Sequence, residues 1–182
     1  MGIRVNVSEQ EKQAGDREPL PIGKYHFAIT GVELTESGSD NNFGKPMLAF
    51  EFTVQDTPGP WQEFANRKDF TNACLWGADE EAGTKGALYT IIMILKAIGK
   101  YEECLDGKEL DIPTEPEFYL GEQLMGRRAV DKKQKDKWPD LEERWVQLRG
   151  FSPYDEATAH KTGPGAGSHT RSTPKESSLL PG

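Results

Sequence analysis

The first pattern along the chain has a period of two. From Lys24 to Leu34 apolar and polar residues alternate, with Tyr25, Phe27 and Ile29 on one face. At Gly31 the phase reverses, so that Val32 and Leu34 fall on the other face. A strand that changes phase at a glycine predicts a β-bulge and a bend. Ser37 to Lys45 is a polar, glycine-containing loop, and Met47 to Val54 alternates again with Leu48, Phe50, Phe52 and Val54 in phase. Thr57-Pro58-Gly59-Pro60 reads as a turn. Glu63 to Trp76 reads as a third strand, with Phe70, Cys74 and Trp76 in phase.

The period then becomes helical. Leu88, Ile91, Ile92, Leu95 and Ile98 recur at i, i+3, i+4 and i+7, which predicts a helix over 84–98. Thr84 is placed to cap it and Gly99 to end it. Residues 100–122 form a connection broken by Pro113 and Pro116. Arg127 to Lys133 is read as a fourth strand, Gln134 to Asp140 as a turn, and Glu143 to Phe151 as a fifth strand. In the last, Val146 and Leu148 oppose Trp145, Gln147 and Arg149.

The order β-β-β-α-β-β with a bent first strand predicts a mainly β fold. It matches a five-stranded Greek-key barrel of the OB type, whose single helix lies between strands three and four. The plainer alternative is an antiparallel sheet with one helix packed on it. The 182 residues divide into an arm (1–18), a domain (19–155) and a tail (156–182). From His160 onward the tail is rich in Gly, Ser, Thr, Pro and Lys and has no aromatic residue, so it is expected to be disordered.

Composition narrows the function classes. Hydrophobic residues make up 35%, and no apolar run approaches the roughly 18 residues of a membrane span. Met1 to Val7 has no apolar core of a secretory signal. The two cysteines, Cys74 and Cys104, make no CxxC pair and fit a reducing, cytoplasmic setting. His26, His160 and His169 are scattered, so no zinc set can be assembled, and nothing implies a cofactor. There is no GxSxG elbow and no phosphate loop. Asp140, Glu142 and Glu143 are the nearest approach to a nuclease carboxylate cluster, but they crowd into one turn. His26 is expected on the strand face opposite Tyr25, surface-lying or loop-covered, without a partner.

The net charge of −8 argues at first against a phosphate-bearing partner. Its distribution argues otherwise. Residues 100–122 carry eight acids against two lysines, a net −6, whereas residues 127–138 carry six cations against two acids, a net +4. The basic stretch maps onto the fourth strand and the loop leading to the fifth. It holds Arg127, Arg128, Lys132, Lys133, Lys135, Lys137 and Trp138. In an OB barrel this loop and the one after strand one frame the ligand groove. The latter carries Phe43 and Lys45, strand three adds Arg67 and Lys68, and strand five adds Trp145 and Arg149. Cations that follow phosphates, set among rings that stack on bases, are what single-stranded nucleic acid requires. A lysine-rich hairpin also serves simply as a soluble edge, and Trp145 and Trp76 also suit a core.

Several short motifs resemble a known family. They are Leu20-Pro21-Ile22-Gly23-Lys24-Tyr25 opening a strand, Gly44-Lys45-Pro46 leading into the second, Lys96-Ala97-Ile98-Gly99 ending the helix, and Gly126-Arg127-Arg128 entering a strand. Over residues 19–152 they resemble small bacteriophage proteins of formally unknown function, regarded as single-stranded DNA-binding and often encoded beside replication and recombination genes. The resemblance implies a non-enzymatic, sequence-tolerant single-stranded DNA-binding protein in the host cytoplasm, with phage or host replication proteins as further partners. Two alternatives stand beside it: a protein-interaction module using the acidic surface, and a metal-dependent nuclease. One departure is plain. Many single-stranded DNA-binding proteins recruit enzymes through an acidic tail, and residues 156–182 here carry a net +1.

Overall fold

The computed structural model describes residues 19–40, 42–77 and 87–156. The fold is mainly β. Five antiparallel strands form one sheet: β1 (Gly23–Glu36), β2 (Pro46–Val54), β3 (Lys68–Cys74), β6 (Gln123–Val130) and β7 (Val146–Pro153). Their order across the sheet is β3-β2-β1-β6-β7. A two-stranded hairpin, β4 (Leu105–Asp106) and β5 (Glu109–Leu110), stands apart from it. The helices are α1 (Tyr89–Ala97), α2 (Lys132–Lys137) and α3 (Glu142–Trp145). The arm, the tail from residue 157, Thr84 and the acidic run at 79–81 lie outside the described residues.

The bend in β1 is where the sequence placed it. Its first half pairs with β6 over Gly23–Ala28, and β2 pairs along Phe27–Glu36 with a register shift between Ile29 and Gly31. Thr30 is the extra residue. Gly31 tolerates the resulting closeness, because a Cβ there would stand 3.0 Å from the Cβ of Glu51. The core gathers Tyr25, Phe27 and Ile29 from β1, Leu48, Phe50, Phe52 and Val54 from β2, and Leu148 and Phe151 from β7. Gly126 is bare because the Phe27 ring and Leu148 would lie within 3 Å of any Cβ.

Helix α1 closes the core with Ile91, Ile94, Leu95 and Ala97. It ends in a Schellman turn: Gly99 has φ +74°, its N–H donates to Lys96 O at 3.1 Å, and Lys100 N donates to Leu95 O at 2.9 Å. The expected seam is rotated, with Ile94 buried and Ile92 only half-buried. The acidic connection is tied down by Lys100, whose Nζ reaches Phe118 O at 2.6 Å and Glu122 at 3.0 Å.

Five expectations are corrected. The third strand begins at Lys68, because Asn66 adopts φ +67° inside the β2–β3 turn. Its phase is also reversed: Asp69 and Ala73 face the core and Phe70 faces out. The fourth strand starts at Gln123 and ends at Val130, and the fifth starts at Val146. Between them the chain forms α2 and α3, where a simple turn was expected. Asp131 caps α2, its carboxylate accepting from Lys133 N at 3.0 Å and Gln134 N at 3.3 Å.

β3 and β7 are the two free edges of the sheet, and the ladder does not close between them. A buried ion pair spans the gap instead. Arg128 Nη1 lies 2.7 Å from Asp69 Oδ2, and Arg128 Nη2 donates to Val146 O at 3.0 Å. Three strands are thereby joined by one guanidinium. No helix among the described residues is long and apolar enough to cross a membrane.

His26 is loop-covered but not partnerless. Thr57 Oγ1 and Gln123 Oε1 lie 2.7 Å from its two ring nitrogens. Its ring stacks on Tyr154 at 3.6 Å, and Trp61 Nε1 donates to Thr57 Oγ1 at 2.9 Å. In the neutral ring Nε2–H donates to Gln123 Oε1 and Nδ1 accepts from the Thr57 hydroxyl. Burial holds its pKa below the ordinary 6.5, against the opposing pull of the Gln123 bond.

Two outcomes are expected. Arg128→Met strands the Asp69 carboxylate and costs about 3–5 kcal/mol in urea unfolding. The double variant Asp69→Leu/Arg128→Met costs clearly less than the sum of its singles, and additive losses would refute the coupling. For His26, the unfolded ring takes up a proton near pH 6.5 and the folded ring only at lower pH. Its contribution is therefore complete above pH 6.5 and is lost as pH falls through the folded value. Stability measured from pH 7.5 to 5 should fall, and His26→Gln should flatten that slope.

Candidate nucleic-acid interface

The basic stretch emerges at the end of β6. Asp131 starts α2, and the helix exposes Lys132, Lys133, Lys135 and Lys137. Asp131 N donates to Trp145 O, which anchors α3 beside α2. Trp138 follows α2 and is 37% exposed. Its ring is flanked by Arg144, 4.6 Å from the ring centre, and by Lys137 at 5.5 Å. Lys135 stands 4.9 Å over the ring of Trp145, which is half-buried, with its Nε1 enclosed and unpartnered. Two indoles and five cations thus share one small platform.

The other expected residues divide. Arg149 joins the platform through Asp131, 3.3 Å away. Arg127 is exposed, whereas Arg128 is not available to a ligand: 7% exposed, it is committed to Asp69 and Val146 O. Consecutive residues on a strand point to opposite faces, so only one of this arginine pair reaches solvent. Lys68 pairs with Glu51 at 3.0 Å, and Arg67 lies 5.5 Å from the Phe64 ring centre. Phe43, 81% exposed, and Lys45, 5.5 Å over the ring of Trp76, form a separate group at the far end of β1 from α2. The two loops are not one cluster.

Sequence reasoning missed three residues. Arg144 was hidden in an expected strand. Lys24 sits directly opposite Arg127 across the β1–β6 ladder, and neither has an ion-pair partner among the described residues. Like charges placed opposite one another cost stability, so this pair is a place where an anion would be welcome. Phe70, assigned to the core by its phase, is 56% exposed.

The acidic connection ends where β6 begins, and the basic stretch continues where β6 ends. The connection enters at Gln123 with seven of its eight acids exposed, and α2 leaves after Val130. The strand itself is roughly 23 Å long. Among the described residues, no three His, Cys, Asp or Glu side chains converge as a metal set.

The two tryptophans should separate on substitution. Trp145→Ala should lower unfolding stability by about 1–3 kcal/mol, less than a fully buried tryptophan would cost. Trp138→Ala should change it by no more than about 1 kcal/mol. Equal losses in urea melts would contradict their different burial. No protein-family model matches this chain, and no curated protein matches it significantly.

Proposed function

We propose that the protein binds single-stranded DNA without sequence preference and without catalysis, acting in phage DNA replication or recombination. The observation that carries the reading is the α2–α3 platform: an exposed Trp138 flanked by Lys137 and Arg144, beside the exposed Lys132, Lys133 and Lys135. A base stacked on the indole places its neighbouring phosphates among those cations. Duplex DNA keeps its bases stacked on one another, so an exposed ring favours the single strand.

The strand order supports an OB-type scaffold. Cut between its third and fifth strands, such a barrel unrolls into the order seen here, with a bent first strand shared by both halves. The phage context rests on the short motifs at residues 20–25, 44–46, 96–99 and 126–128. A second reading, a protein-interaction module, draws on the seven exposed acids of the connection.

Titration with oligo-dT should quench tryptophan fluorescence. If about four phosphates are neutralised, affinity should drop about 50-fold between 50 and 200 mM salt. Trp138→Ala should weaken binding with the fold intact. Absence of both quenching and a mobility shift at low salt refutes the reading. A protein partner retained on the acidic connection after nuclease treatment, together with that absence, favours the second.

A further inference from the structure

Phe70 is a large apolar side chain turned to solvent in the middle of an edge strand. Two clefts meet at it. One, of about 450 Å³, lies between the edges of β3 and β7, with Asp69 and Arg128 on its floor and Asn72 and Gln147 on its walls. The other crosses the outer face from Gly31 and Val32 over Ala49. Phe70 and Asn72 line both, so the Phe70 ring borders open space on two sides. At the seam the groove between β3 and β7 reaches Val146, the residue after Trp145.

We infer that this groove takes a nucleobase stacked on Phe70, as a second contact on a single strand whose phosphates lie along α2 and α3. The inference rests on the single-stranded DNA reading and extends it to β3. An exposed phenyl ring offers an open π-face to any base, and the side-chain amide of Asn72 stands two residues along the same strand face. The floor is an internally neutralised ion pair, so it neither repels nor attracts the backbone. Glu51 beside the groove is matched by Lys68 at 3.0 Å. Beyond Phe70 the outer cleft meets Glu33, which is exposed and acidic. A phosphate backbone is disfavoured there, so the track stops at Phe70. The bound segment is short, bounded by Trp138 at one end and Phe70 at the other.

The test is equilibrium binding of oligo-dT of 12 nucleotides to the full chain, for wild type, Phe70→Ala, Phe70→Tyr and Trp138→Ala, at two salt concentrations. Phe70→Ala should weaken binding roughly tenfold. Phe70→Tyr should restore it, because the ring is kept. The salt slope should be unchanged in both, because no phosphate contact is removed. If wild type binds and Trp138→Ala weakens it while Phe70→Ala does not, the groove inference fails and the platform stands. Failure of Phe70→Tyr to restore binding also refutes stacking. If wild type does not bind, both readings fall.

Discussion

The buried pair of Asp69 and Arg128 sets the orientation of everything around the seam. Two charges inside a fold are tolerated only when matched and hydrogen-bonded, and here the guanidinium meets both carboxylate oxygens and a main-chain carbonyl. The requirement acts along the chain as well as across it. Turning Asp69 inward sends Phe70 outward, and turning Arg128 inward sends Arg127 to the surface beside Lys24. The bond to Val146 O fixes the residue that follows α3, so the platform is held to the same anchor. Apolar substitutes of similar volume would pack as well, yet they would not tie β3 to β6 and β7 through directed bonds.

The first half of the fold was legible because its residues obey one period at a time. Tyr25, Phe27 and Ile29 alternate, Gly31 marks the bulge, and Gly99 ends the helix. Legibility failed where polar groups took core positions. β3 buries an aspartate and exposes a phenylalanine, so hydrophobicity read alone gives the opposite phase. β6 has Gly126 and Arg128 on its inner face, which leaves no apolar rhythm to detect. α2 is made of lysines, glutamine and aspartate, with no buried side, and its one readable sign was the capping Asp131.

The candidate site divides along the same line. The four lysines of α2 and Trp138 were visible as composition and are exposed together. Arg128 was indistinguishable from Arg127 in sequence, because nothing local reveals which of two neighbours will find a buried carboxylate 59 positions away. Arg144 was missed because a strand was expected where α3 forms. The overall charge proved a poor guide for a related reason: acids and bases are segregated into two stretches on either side of one strand, so a summed figure describes neither.

The unclosed ladder has a consequence for how copies of this chain meet one another. Exposed strand edges ordinarily invite intermolecular pairing and, at high concentration, aggregation. Here the two edges face each other across a narrow cleft and touch through β3 and β7. The guanidinium bridge links them at Asp69 and Val146. A sheet that stops short of a barrel thereby pins its two open edges to each other at one point while leaving a slot between them.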